Sequence, residues 1–174
     1  MRWSDPLLVP FLTVSWVGFV LGLAIHLLAW LRGPLPPEAL VWVLHGGLFA
    51  LAIPSTFISH QLARGAGFRN YSKVVLRGSP PWLRRLTVLS GVYWVLAFVI
   101  FAVRVGDRKP GPGFMSPESI WLFSALWVVF YLNEAAIFHS AWKLAEVDAA
   151  RRCSNGHQLP PEANYCPECG APTR

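Results

Sequence analysis

Charged residues are scarce in this chain of 174 residues, because Asp, Glu, Lys and Arg make up only 14% of it. Soluble domains carry about 25% of these residues, so the composition argues against a soluble globular protein. Hydrophobic residues account for 54%, and nine Trp and eleven Phe are more than a small soluble core would hold. Membrane helices use such rings as interfacial anchors. The composition therefore predicts an all-α membrane protein.

Features that would indicate an enzyme or a secreted protein are missing as well. The sequence has no glycine-rich nucleotide-binding loop, no convincing pair of nucleophile and base, and no internal repeat. It has three Cys, all within the last 22 residues. An odd number at metal-ligand spacing does not fit a disulfide framework. We therefore expect no enzymatic activity and a reduced tail that binds a metal.

Four long apolar segments predict four transmembrane helices. A bilayer core about 30 Å thick needs roughly 20 helical residues. The predicted spans are residues 7–31, 39–60, 86–103 and 119–142, with a loop at residues 61–85. The first span is too long for the apolar part of a signal peptide, and no small-residue cleavage site follows it. We expect a four-helix transmembrane domain over residues 1–152.

The Lys and Arg residues outside the spans predict the orientation, since cytoplasmic loops are enriched in both. The middle loop holds six of them: Arg64, Arg69, Lys73, Arg77, Arg84 and Arg85. The first loop holds one Lys or Arg residue. The third loop holds three, which weakens the charge difference between the two sides of the membrane. The tail after the fourth span adds Lys143, Arg151 and Arg152. We expect the middle loop and both termini in the cytoplasm, and the protein in a bacterial inner membrane.

The net charge of +6 does not indicate nucleic acid, because most of the charge lies in one loop between apolar spans. Apolar and aromatic residues from Phe68 to Trp82 alternate there with the basic ones. Such a segment suits the headgroup region of anionic lipid. We expect a lipid-contacting connector, and the alternative is a recognition site for a partner or a phospholipid.

The tail over residues 153–174 contains a Cys and His motif. Its spacing is C-x3-H, eight residues, then C-x2-C, formed by Cys153, His157, Cys166 and Cys169. Zinc prefers four tetrahedral ligands, and thiolate and imidazole suit it. A segment this small cannot bury a core, so metal binding would supply its folding energy. Because all four ligands come from the protein, the motif predicts structural zinc.

This tail resembles the short zinc ribbons at the ends of many bacterial proteins, which often read C-x-N-G-H…(F/Y)-C-x-x-C-G. The matching residues are Cys153, Asn155, Gly156, His157, Tyr165, Cys166, Cys169 and Gly170. The whole chain is similar to uncharacterised bacterial membrane proteins that pair four helices with such a ribbon. That wider resemblance rests on residues 76–84, which read LRGSPPWLR. It implies a cytoplasmic interaction module and no activity.

Ionisable residues inside the spans are candidates for function. Glu134 and Asn133 lie about 15 residues into the fourth span, at the expected depth of several hydroxyl side chains: Ser55, Thr56, Ser59, Ser90 and Tyr93. We expect a membrane polar site formed by Asn133, Glu134, His60 and His139. It would either fix helix packing or form a path for a proton, an ion or a substrate.

Four His residues lie toward the ends of the spans. His26 and His45 are near the predicted outer surface, and His60 and His139 are near the inner one. Side chains that reach the membrane interface would explain these positions. Because the four His form two pairs at two depths, the alternative is a two-haem cytochrome in which they are axial ligands. Separately, Gly18-x3-Gly22 predicts a close-packing face that could serve a homo-oligomer.

The sequence therefore predicts a four-helix transmembrane bundle with a small C-terminal zinc ribbon. The expected function is a membrane-anchored scaffold or adaptor, whose ribbon binds a cytoplasmic protein while its basic loop contacts anionic lipid. Two alternatives remain at this stage. One is a small transporter or membrane assembly factor that uses Glu134, and the other is a haem b electron carrier that uses the His pairs.

Overall fold

The computed structural model describes residues 5–105, 116–150, 153, 155–157, 159 and 164–171. Its five helices are α1 (Asp5–Trp30), α2 (Glu38–Leu62), α3 (Tyr71–Val75), α4 (Pro81–Val105) and α5 (Pro117–Ala150), and a single 3-10 turn (Phe68–Asn70) precedes α3. These described residues contain no β-strand, so the all-α prediction is confirmed. The predicted basic residues Arg108, Lys109, Arg151 and Arg152 lie outside the described residues.

Four of these helices are long and apolar enough to cross a membrane: Leu8–Trp30, Glu38–Leu62, Pro81–Val103 and Pro117–Val147. The number of predicted spans is therefore confirmed by the length and composition of the helices. Two boundaries differ clearly, because α5 continues to Ala150 rather than ending at residue 142, and α4 begins at Pro81 rather than at residue 86. Proline loses no hydrogen bond at a helix start. Arg84 and Arg85 consequently lie in the first two turns of α4 and not in a loop.

Helix α5 lies at the centre of the bundle. It packs mainly against α1 and also against α4 and α2. In the apolar span of α5, 61% of the residues are buried, compared with 6% in α4. Small buried side chains allow this close packing, namely Ser124, Ala125, Ala135, Ala136, Ser140 and Ala141. Helix α4 instead exposes apolar side chains along its length, as a helix that faces lipid does.

Two glycines of α1 receive side chains of α5. A Cβ atom at Gly18 would collide with the ring of Tyr131, and a Cβ atom at Gly22 would lie 3.1 Å from the Cβ atom of Trp127. The predicted close-packing face Gly18-x3-Gly22 is therefore used within the chain, between α1 and α5. Because side chains of α5 cover both glycines, these positions are not available for contact with a second copy of the chain.

The connector between α2 and α4 is anchored to α5 by buried hydrogen bonds. The backbone N–H of Gly78 donates to Ser140 Oγ (2.9 Å), and Ser140 Oγ donates to the carbonyl of Val75 (2.6 Å). Ser79 Oγ donates to the carbonyl of Ala136 (2.7 Å). Val75 and Ser79 are both buried. This half of the connector belongs to the protein core, which the sequence did not indicate.

Candidate functional site

Cys153, His157, Cys166 and Cys169 come together at the C-terminal end of the chain. One ligand atom from each residue lies within 4.8 Å of all the others. The three cysteines all belong to the described part of the chain, and they form no disulfide. The structure thus brings together the four residues that the sequence predicted as metal ligands, and the cluster is compatible with a bound metal ion.

Each half of this cluster is held by a tight turn. The N–H of Gly156 donates to the carbonyl of Cys153 (2.8 Å), and the N–H of Gly170 donates to the carbonyl of Cys166 (2.8 Å). Both glycines have a left-handed backbone, with φ of 80° at Gly156 and 70° at Gly170. Glycine adopts this conformation without the strain that a Cβ atom would cause. The two turns therefore explain why Gly lies within the first half of the motif and directly after the second half.

Two of the distances between ligand atoms are close to those expected around one tetrahedral ion. Cys153 Sγ lies 3.6 Å from Cys169 Sγ, and Cys166 Sγ lies 3.7 Å from His157 Nδ1. Zinc bonds of about 2.3 Å to sulfur and about 2.0 Å to nitrogen, at tetrahedral angles, would place S and S about 3.8 Å apart and S and N about 3.5 Å apart. A disulfide requires about 2.05 Å between sulfurs. The four atoms consequently surround a space of the right size for a metal.

The thiols of this cluster differ in acidity. The backbone N–H of Ala171, followed by the His157 side chain, lowers the pKa of Cys169 to about 6. Burial raises the pKa of Cys166. The thiolate is the form that binds metal. At neutral pH Cys169 would coordinate a metal as the thiolate, whereas Cys166 would have to release its proton to do so.

Glu168 lies behind the histidine of the cluster. Its Oε2 atom is 3.6 Å from His157 Nε2, while His157 Nδ1 faces Cys166. A carboxylate next to the second ring nitrogen fixes the tautomer and the orientation of a metal-binding histidine. The metal-ligand spacing alone does not indicate a role for Glu168. Its position inside the C-P-E-C turn was the available signal, because that turn brings it near the other half of the motif.

Glu134 is 2% exposed in α5, and neither of its carboxyl oxygens has a hydrogen-bond partner among the described residues. It lines a cavity of about 360 Å³ between α2, α3 and α5. The other polar residues of this lining are Ser55, Thr56, Ser59, Tyr71, Ser72 and Asn133. Of the five hydroxyl residues expected at the depth of Glu134 and Asn133, three line the same cavity, namely Ser55, Thr56 and Ser59. Ser90 and Tyr93 do not line this cavity.

The other two residues of the predicted membrane polar site lie elsewhere. His60 is exposed and lines a separate groove along α2, together with Phe57 and Arg64. His139 is half-buried and packs edge-on against Trp142, with a ring-centroid distance of 5.9 Å. Neither histidine lines the Glu134 cavity. The structure therefore does not bring all four residues of the predicted polar site around this cavity, because the side chains point in different directions around their helices.

His26 is buried inside the bundle rather than interfacial. Its Nδ1 atom lies 2.9 Å from Ser124 Oγ, and its Nε2 atom contacts both the Tyr93 hydroxyl and Trp30 Nε1. A haem iron at His26 would have to displace these hydrogen bonds. His45 bonds through Nδ1 to a carbonyl of its own helix (3.0 Å). These contacts do not favour this pair as axial ligands.

The basic residues of the connector are mostly exposed. Five of the six have exposed side chains: Arg64, Arg69, Lys73, Arg77 and Arg85. Arg84 is half-buried, and its Nε atom donates to the carbonyl of Ser79 (2.8 Å). Five cations of this segment are therefore available to anionic groups outside the protein, and the sixth stabilises the turn before α4.

No protein family, curated protein or solved structure matches this chain. Its described residues form an all-helical fold with four helices able to cross a membrane, and they include a cluster of three Cys and one His compatible with a metal ion. The chemistry of these residues is the basis for the function proposed next.

Proposed function

We propose that this protein is a membrane-anchored scaffold or adaptor, whose tail folds around one structural zinc ion and binds a protein partner in the cytoplasm. The observation that carries the proposal is the cluster of four ligand atoms within 4.8 Å of one another. Three sulfurs and one imidazole nitrogen favour zinc over Mg²⁺ or Ca²⁺, which prefer oxygen. With four protein ligands, no coordination position stays open for a substrate. The zinc is therefore structural.

The position of the tail next to α5 supports an anchored ribbon. The apolar span of α5 ends at Val147 and the helix ends at Ala150, so only two residues separate it from Cys153. Near the end of the span, Lys143 Nζ lies 4.6 Å from the centroid of the Trp142 ring and 2.7 Å from Glu146 Oε2. Trp and Lys are typical of a membrane interface. The ribbon would thus be held close to the membrane surface.

A cytoplasmic location of the tail is supported by charge and by cysteine chemistry. The exposed basic residues of the connector favour the cytoplasmic side of a bacterial inner membrane. Since α2 and α5 both run from the opposite side toward that side, the tail would follow. Free thiols also persist in the reducing cytoplasm, whereas oxidising compartments favour disulfides. A cytoplasmic ribbon would therefore keep its three thiols available for zinc.

Metal analysis of the full-length protein, purified in detergent, tests the zinc site. We expect one zinc per chain, and we expect Cys166→Ser and His157→Ala to lose most of it. His60→Ala is the matched control, because His60 lies outside the cluster and should leave the zinc content unchanged. Zinc that stays at one per chain in the Cys166→Ser variant would contradict the assigned ligands, and iron in place of zinc would contradict the metal.

The adaptor role requires a contact surface on the tail that is distinct from the zinc ligands. Tyr165 is 66% exposed, directly before Cys166, and exposed Tyr residues are frequent anchors of protein interfaces. We expect cross-linking in intact cells to capture the same partner repeatedly with the full-length protein. Tyr165→Ala should lose that partner and keep its zinc. Recovery of an identical set of partners with the Cys166→Ser variant would argue against an adaptor.

A further inference from the structure

The Glu134 cavity contains an unpaired acidic group that the proposed zinc ribbon does not use. Both carboxyl oxygens are buried and lack a partner among the described residues. Burying a polar group without a hydrogen bond is unfavourable, and burying an unpaired charge is more so. Unsatisfied buried groups are rare in native proteins, and a missing partner is one explanation for them. Neither oxygen is in contact with the open space of the cavity in this side-chain arrangement, so Glu134 would pair with a ligand there after a change of rotamer.

Three of the hydroxyl groups around the cavity offer lone pairs rather than protons. Tyr71 donates to Ser59 Oγ (3.0 Å), Ser59 donates to the carbonyl of Thr56 (2.9 Å), and Ser55 donates to the carbonyl of Ala52 (3.1 Å). Three of the hydroxyl protons are thus already used, and their oxygens remain as acceptors. No Lys, Arg or His occurs among the described residues of this lining. The cavity therefore suits a cationic hydrogen-bond donor and disfavours an anion.

The size and the apolar part of the lining indicate more than a bare ion. A volume of about 360 Å³ is within the range of small-molecule sites. Phe130, Ile137, Val75 and Leu76 supply apolar surface next to Glu134. A primary ammonium group carries a positive charge and three N–H donors, which matches one carboxylate and several acceptor oxygens. The rest of such a ligand would contact the apolar wall.

A second groove lies beside this cavity, along the neighbouring face of α2. Ala52 and Thr56 line both spaces. The groove has a volume of about 780 Å³, and its apolar residues Phe49, Ile53 and Phe57 recur every four positions, so they form one stripe of the helix. His60 and Arg64 lie at the end of the groove, where Arg64 could pair with a phosphate. The groove thus has a basic end at Arg64 and an apolar stripe that leads away from it, and the acidic cavity lies beside that stripe at Ala52 and Thr56.

We propose that the cavity and the groove together bind one aminophospholipid of the bilayer, with its primary ammonium at Glu134, its phosphate near Arg64 and an acyl chain along Phe49, Ile53 and Phe57. The ammonium pairs with the carboxylate and donates to the free lone pairs of Ser59 and Tyr71. A quaternary ammonium lacks N–H donors, and a glycerol headgroup lacks the charge. The site therefore distinguishes lipids by their headgroup.

Native mass spectrometry of the full-length, zinc-containing protein in detergent tests this inference. Phosphatidylethanolamine, phosphatidylcholine and phosphatidylglycerol with identical acyl chains are added in turn at equal concentrations. We expect the ethanolamine lipid to bind at least tenfold more tightly than the other two. Equal binding of the three lipids by the unaltered protein would overturn the proposal, and this comparison requires no variant to fold.

Two substitutions locate the headgroup. Glu134→Gln keeps the shape of the side chain and removes its charge, so we expect the preference for ethanolamine lipid to fall to less than threefold. Glu118→Gln, at an exposed acid of α5, is the matched control and should keep the preference. Arg64→Gln should weaken all three phospholipids several-fold without changing their order. A preference that survives Glu134→Gln would contradict the assignment.

Free ethanolamine separates a lipid from a small amine. We expect ethanolamine at millimolar concentration neither to bind detectably nor to displace the lipid, because it lacks the apolar part that fills the groove. If it displaces phosphatidylethanolamine completely, the ligand is a soluble amine and the lipid assignment is wrong. The zinc content is measured on the same samples. It should stay constant, so that failure of this inference is distinguishable from failure of the zinc proposal.

Discussion

The hydroxyl group of Ser140 links both ends of a turn in the connector between α2 and α4. It accepts a hydrogen bond of 2.9 Å from the backbone N–H of Gly78, and it donates one of 2.6 Å to the carbonyl of Val75. Because this region is largely buried, leaving one of these backbone groups unpaired costs about 1–3 kcal/mol. A side chain of the central helix thus determines where the connector lies.

Gly78→Ala should destabilise the protein. A Cβ atom at this position would collide with the backbone of Ser140, and backbone atoms cannot rotate away as a flexible side chain can. We expect a loss of about 1–3 kcal/mol, measured as a lower midpoint of thermal unfolding in detergent. Gly91→Ala is the control, since a Cβ atom there meets nothing within 4 Å. Equal midpoints for the two variants would disprove the close contact between the connector and α5.

Ser140→Ala should have an effect of similar size for a different reason. It adds no bulk but leaves the N–H of Gly78 and the carbonyl of Val75 without their partner, at a cost of about 1–3 kcal/mol. Ser90→Ala is the matched control, because Ser90 bonds only within its own helix, to the carbonyl of Thr87 (2.9 Å). In a denaturing detergent, Ser140→Ala should unfold more readily than Ser90→Ala. A smaller loss for Ser140 than for Ser90 would contradict the anchoring role.

The adjacent glycines of α2 should respond differently to the same substitution. A Cβ atom at Gly47 would lie 2.5 Å from the hydroxyl oxygen of Tyr131, whereas one at Gly46 meets nothing within 4 Å. The Tyr131 hydroxyl also donates to the carbonyl of Leu44 (2.7 Å), which holds it in place. We expect Gly47→Ala to lower stability by about 1–3 kcal/mol and Gly46→Ala to leave it unchanged or slightly higher. The thermal midpoints of the two variants, measured side by side, check this.

Features that depend on local sequence could be predicted. An apolar run of sufficient length indicates a spanning helix whatever its neighbours are, so four spans were expected and four suitable helices are present. The Cys and His ligands are close in the chain, and their turns follow from Gly156 and Gly170. The depth of Glu134 also follows from counting residues along a helix. Counting along the helices therefore predicts Ser55, Thr56 and Ser59 at the depth of Glu134, and all three line the same cavity as Glu134.

Features that depend on distant partners could not be predicted. His26 lies near a helix end, which suggests an interface, but Ser124 and Tyr93 satisfy its ring nitrogens from other helices. His139 was assigned to the site of Glu134 because depth alone does not give the direction of a side chain around its helix. The alternation of charge in the connector likewise suggested a surface segment, while Ser140 draws part of it into the core.

One exposed residue in the loop between α1 and α2 and one in the connector between α2 and α4 provide a test of the orientation. Phe68 is 98% exposed in the basic connector, and Leu35 is exposed in the loop between α1 and α2. The positive-inside rule predicts that Phe68→Cys, in a chain without other cysteines, is labelled only by reagents that reach the cytoplasm. Leu35→Cys should be labelled by a membrane-impermeant maleimide from the opposite side. Labelling of Phe68→Cys from outside in intact cells would reverse the proposed topology and place the tail outside as well.

Glu168→Gln should weaken the metal site without abolishing it. The carboxylate lies 3.6 Å from His157 Nε2, and the two side chains are 66% and 36% exposed, so water screens part of the interaction. Losing an outer-shell carboxylate typically lowers metal affinity 10- to 100-fold, and this exposure favours the lower end, about tenfold. Competition with a chromogenic chelator measures the affinity in detergent, and the stoichiometry should remain one zinc per chain. Glu146→Gln is the control, because Glu146 pairs with Lys143 on α5. Equal zinc affinities for the two variants would show that His157 is oriented by its turn alone.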